Sequence, residues 1–104
     1  MPESLQTIEM NFAEARRQAQ ELEQIAGNLN TLVNGTFQPC LRGIAAGWKG
    51  ENAQVFCKKG AVVGEQIARS ASDLRLVAET IRQMAENTYR AEKKICEIAA
   101  GRTY

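Results

Sequence analysis

A chain of 104 residues, 44% of them hydrophobic, has the size and composition of one soluble domain, taken here as residues 1–104. Thirteen lysines and arginines against twelve acids leave a formal charge of +1, too weak a field to hold nucleic acid or an anionic membrane. There is no histidine, and the three cysteines form no C-x-x-C pair, which argues against a zinc site, a disulfide framework or any metal-dependent cofactor.

No run of apolar residues approaches the roughly 18 that a membrane span requires, and the polar, acidic N-terminus lacks a signal-peptide pattern. Synthesis as a soluble cytoplasmic protein is expected, with no membrane insertion. Counting in sevens from Leu5 reaches Phe12, Ala19, Ala26, Val33 and Cys40, and three places later Ile8, Ala15, Leu22 and Leu29. This heptad stripe predicts a helix over about 4–46, capped by Ser4, with Glu3 and Glu9 near the positive end of its dipole. Ile25 and Leu32 widen the stripe beyond one seam.

Asn34, Gly35 and Pro39 interrupt the pattern, since a proline inside a helix removes a hydrogen bond and clashes with the preceding turn. Two readings follow. The first is a kink or broken turn near 35–39, because Cys40 keeps the heptad register while Ile44 lies one residue off it. The second is a three-helix chain with a short middle helix.

Gly47, Trp48 and Gly50 then form a turn at 47–50, because two glycines this close weaken a helix interior by roughly 1 kcal/mol each. The single tryptophan sits on that turn, either exposed for docking or covering the hairpin's end. Cys40 and Cys57 flank it at eight and nine residues. They are either a disulfide across the hairpin or free thiols packed as small hydrophobes.

From Ala53 the same repeat runs through Gly60, Ile67, Leu74, Ile81, Thr88 and Ile95, with Phe56, Val63, Ser70, Val77, Met84, Ala91 and Ile98 three later. A second helix over about 51–100 is predicted, with Glu51 in its first turn and Gly101 at its end. A period near 3.5 excludes strand, and Ala, Glu, Gln, Arg and Lys fill the other positions, so the chain is all-α. Two antiparallel helices of about 49 residues, roughly 70 Å long, meet along one seam. Val55, Val62 and Leu76 occupy a third heptad position, separated from the seam by Lys59, Gln66 and Asp73. With Ile25 and Leu32 they form the expected partner interface, so an antiparallel hairpin should assemble into a dimeric four-helix bundle. A thin rod without histidine offers neither a pocket nor an obvious base, and enzyme activity is not expected. Lys58 and Lys59 read as a solvated pair.

Trp48, Lys49 and Gly50 at the turn of a hairpin of this length, followed by small Ala53 and aromatic Phe56, resemble the WXG-motif family of early-secreted-antigen-like proteins. These serve type VII secretion in Gram-positive bacteria. The resemblance covers essentially the whole chain. It implies a homodimer, or a heterodimer with another small WXG-like protein or the helical N-terminal domain of a larger effector. It also implies export without a cleaved signal peptide, to the medium or the cell surface, through docking on the secretion ATPase. In that family the docking signal combines the tryptophan turn, here Trp48 and Gly50, with a Y-x-x-x-D/E motif after the second helix. Here Tyr89 is followed by Glu92 at the third place and Lys93 at the fourth, a departure that leaves open whether the chain carries its own signal or depends on a partner's. On a helix, positions three and four apart share a face, so Tyr89 and Glu92 can still form one patch. A helical-bundle adaptor or structural protein that is not secreted is the alternative.

Overall fold

The computed structural model describes residues 4–101, so Glu3 lies outside the described residues. Helix α1 spans Leu5–Leu32, a π-helical turn spans Val33–Phe37, α2 spans Gln38–Gly47 and α3 spans Glu51–Gly101. No strand occurs among the described residues, so the chain is all-α. Ser4 caps α1 by accepting the Thr7 backbone N–H on its Oγ at 3.2 Å, which satisfies one donor left open by the first turn. Glu51 lies in the first turn of α3, whereas the first turn of α1 holds no acid, because Glu9 sits beyond it.

The interruption at Asn34, Gly35 and Pro39 takes the form of a π-helical turn between α1 and the short α2. The backbone stays helical throughout, and the Gln38 N–H donates to the Val33 carbonyl, five residues back. A π turn takes in one extra residue, and the packing shows it. Continuing the stripe of α1 in sevens would point Thr36, Cys40 and Gly43 inward, but all three are exposed. Phe37, Leu41 and Ile44, each one place later, are part-buried instead. Cys40 therefore leaves the core and Ile44 belongs to it, reversing the expected assignment. Pro39 falls in the first turn of α2, directly after the wide turn, where its missing N–H and bulky ring disturb the ladder least.

Helix α3 also departs from its expected seam. The row at Ala53, Gly60, Ile67, Leu74 and Ile81 is buried or part-buried, as the periodicity requires. Its companion row lies four places on rather than three. Cys57, Gly64, Ala71, Ala78 and Ala85 are buried or part-buried, while Phe56, Val63, Val77, Met84 and Ile98 are exposed. Small side chains let two helices approach closely along a single seam, and the bulky row is turned aside.

Two compact units divide these elements. In the unit of residues 23–75, Ala26, Val33, Ala53 and Ala71 are buried. Leu41 lies over Gly60 and Phe37 over Gly64, where an added Cβ would stand 2.5 Å from Leu41 Cδ2 and 3.2 Å from Phe37 Cε1. With its amide oxygen turned toward Arg75, Asn30 accepts from Nη1 at 2.8 Å and Nη2 at 3.2 Å. In the other unit, residues 4–22 with 76–101, the buried residues are Ile8, Ala19 and Ala78. There Phe12 stacks on Tyr89 with ring centroids 4.5 Å apart and planes inclined by 22°. Arg16 lies over the Phe12 ring at 5.6 Å and Lys93 over the Tyr89 ring at 5.7 Å, so a cation flanks each ring of the stack.

Candidate functional site

Three features stand out from a core built largely of alanine. The first is the outward side of α3. Val55, Val62 and Leu76 are 49%, 54% and 60% exposed. They stand four residues before Lys59, Gln66 and Thr80, so the apolar rows at Val55 and at Phe56 border a polar middle row on the helix surface. Within the unit of residues 23–75, Phe56 and Val63 share an open groove of about 360 Å³ with Phe37, Cys40, Leu41 and Ile44. Ile25 and Leu32 on α1 are also exposed. Large apolar side chains exposed side by side in this way are the kind of surface that proteins use for interaction.

The second feature is the link between α2 and α3. Trp48 adopts an extended backbone and its N–H donates to the Ile44 carbonyl at 2.8 Å, closing α2. Its side chain is 64% exposed. Gly50 has φ +110°, a conformation that side chains with a Cβ resist, and its carbonyl accepts the Gln54 N–H at 3.3 Å. No atom would touch a Cβ placed there, so the demand for glycine is conformational rather than steric. Trp48, Lys49, Gln54 and Lys58 line a shallow depression of about 420 Å³. Between residues 24 and 64 Glu51 is the single acid, against Arg42, Lys49, Lys58 and Lys59. The tryptophan is set in a positive field.

Tyr89 and Glu92 form the third. Both line a groove of about 280 Å³ with Phe12, Ala15, Met84 and Ala85, and both are part-buried. Tyr89 is stacked rather than free, and sequence reasoning missed its partner, because Phe12 reads as one more member of a hydrophobic stripe. Trp48 and Gly50 lie in one unit, Tyr89 and Glu92 in the other.

A surface cluster on α1 is electrostatically coupled. The Arg17 guanidinium donates to Glu14, with Nε to Oε2 at 2.9 Å, and also pairs with Glu21. The hydrogen bond from Arg17 lowers the Glu14 pKa, and the same bond raises that of Arg17. Arg90 pairs with Glu86 on α3. The three thiols are free, Cys40 exposed and the other two part-buried, with Cys57 Sγ donating to the Leu41 carbonyl at 3.8 Å. Among the described residues no group of three histidine, cysteine or acidic side chains is placed to hold a metal, and no helix is long and apolar enough to cross a membrane. This arrangement offers apolar and charged surfaces for binding.

Compared with family models, with curated proteins and with solved structures, the chain matches none.

Proposed function

We propose that this protein is a small type VII secretion component, a secreted substrate or a targeting partner. It works by pairing its apolar helix faces with itself or with the helical domain of a larger effector. The observation that carries the pairing is the bulky row of α3, Phe56, Val63, Val77 and Met84, left exposed while Gly64, Ala71 and Ala78 beside it are buried. A helix that leaves a row of large apolar side chains exposed beside buried small ones is built to be covered. In this reading the two helical segments form an antiparallel hairpin with its turn at 48–50, and two such hairpins make a four-helix bundle.

The secretion assignment rests on the likeness of Trp48, Lys49, Gly50, Ala53 and Phe56 to the WXG pattern. The exposed indole supports a docking role on the secretion ATPase, and the lysines around it call for an acidic counterpart. Tyr89 and Glu92 supply the second part of the signal or leave it to the partner.

The test is export. Expressed in a Gram-positive host with a type VII system, the protein should reach the medium, and deleting the secretion ATPase should retain it in the cells. Trp48→Ala should abolish export while leaving helix content unchanged. Retention of the parent protein in both hosts would overturn the secretion reading and leave a helical adaptor. Unfolding of the Trp48→Ala protein would make the indole a packing residue.

A further inference from the structure

We infer that the outward face of α3 pairs with the same face of a second copy of this chain, antiparallel, with Gln66 at the two-fold axis. This inference rests on the pairing reading above and names its partner. A two-fold interface must be complementary to itself, each residue meeting the one related by the symmetry. The middle row of the face is Lys59, Gln66 and Asp73, evenly spaced by seven residues. Reversing α3 about Gln66 brings Lys59 level with Asp73 of the second copy, and Asp73 level with its Lys59. Gln66 meets Gln66, and a carboxamide both donates and accepts.

The flanking rows obey the same symmetry. Val55 and Phe56 fall level with Val77 and Leu76 of the second copy, apolar against apolar. Val62 and Val63 fall level with Ser70 and Arg69, whose aliphatic stem can lie along the valines while its guanidinium stays in water. A parallel pairing in register would set Lys59 on Lys59 and Asp73 on Asp73, and an antiparallel pairing displaced by one heptad loses both charge matches. A foreign helix has no need of a charge pattern symmetric about its own midpoint.

Charge exchange and cross-linking test this together. Lys59→Glu and Asp73→Lys should each raise the dimer dissociation constant about tenfold, since each turns two symmetric attractions into repulsions. The double variant should return to within about threefold of the parent. In a chain carrying Cys40→Ser, Cys57→Ala and Cys96→Ala, Gln66→Cys should oxidise rapidly to a covalent dimer. Thr80→Cys should not, because the two copies of residue 80 would stand about 42 Å apart. A dimer that cross-links through residue 80 and not 66, or that the double exchange fails to rescue, overturns the register and leaves the pairing reading standing. A chain that is monomeric alone but pairs with a different helical protein overturns the second copy and again leaves pairing intact. A stable monomer with no partner removes both.

Discussion

If the π turn exists to carry Phe37, Leu41 and Ile44 into the core past Pro39, removing one residue from it has a consequence that can be calculated. Deleting Gly35, exposed and without neighbours around a Cβ position, returns those three side chains to the uninterrupted heptad stripe as an ordinary α-helix. It also leaves Pro39 in a helix interior, where the missing hydrogen bond and the ring clash cost about 3 kcal/mol. In the parent chain the proline follows the wide turn, and Pro39→Ala should gain no more than the single hydrogen bond it restores, about 1 kcal/mol. The same substitution in the deleted chain should therefore recover about 3 kcal/mol, a coupling of roughly 2 kcal/mol between the two changes. Urea unfolding followed by circular dichroism on all four proteins, at one protein concentration, measures it. Equal effects of Pro39→Ala at both chain lengths would refute the link between the proline and the π turn. A Gly35 deletion that stays unfolded even with alanine at 39 would refute the register argument itself.

Other expectations are simpler to check. A double-mutant cycle of Phe12→Leu and Tyr89→Leu should show a coupling of about 0.5–1.5 kcal/mol from the stacked rings, and zero coupling would mean the rings are only near each other. Thiol reagents should label Cys40 fast and Cys57 and Cys96 slowly in the native protein; uniform labelling would contradict the register placed after the π turn. Arg17 holds the Glu14 pKa below its unfolded value, so the pair's contribution is present above the unfolded value and is lost as pH falls through the lower folded one. Helix content should therefore weaken on acidification in the parent more than in Glu14→Gln, and identical acid profiles would sink that assignment.

The all-α class and the limits of the long helices were legible in the sequence, because a heptad period is a direct image of helix geometry. The π turn was half legible. The evidence of a slip lay in Ile44 standing one place off the stripe, and Phe37 and Leu41 slip by the same amount; a one-residue slip that persists marks an inserted residue. The second row of α3 was misread for a physical reason. Sequence patterns are read by bulk, which points to Phe56, Val63 and Val77, whereas the buried row is Gly64, Ala71 and Ala78, whose smallness allows close approach of a neighbouring helix. The outward row at Val55, Val62 and Leu76 was legible in the sequence, whereas the neighbouring row at Phe56, Val63 and Val77 was assigned to the seam and only burial shows it exposed. The stack of Phe12 on Tyr89 needed a contact between distant parts of the chain, and no local spacing announces it.

The proposed function requires the outward apolar face of α3 to be an interface. Light scattering on the purified chain, alongside Val62→Glu, tests it most directly. The parent should have about twice its 11.5 kDa monomer mass, with a thermal midpoint that rises with protein concentration, and Val62→Glu should shift it toward monomer. A parent protein that runs as a cooperatively folded monomer, with a midpoint independent of concentration, would contradict pairing with a second copy, and one that also stays monomeric beside the helical domain of an effector would contradict the interface itself.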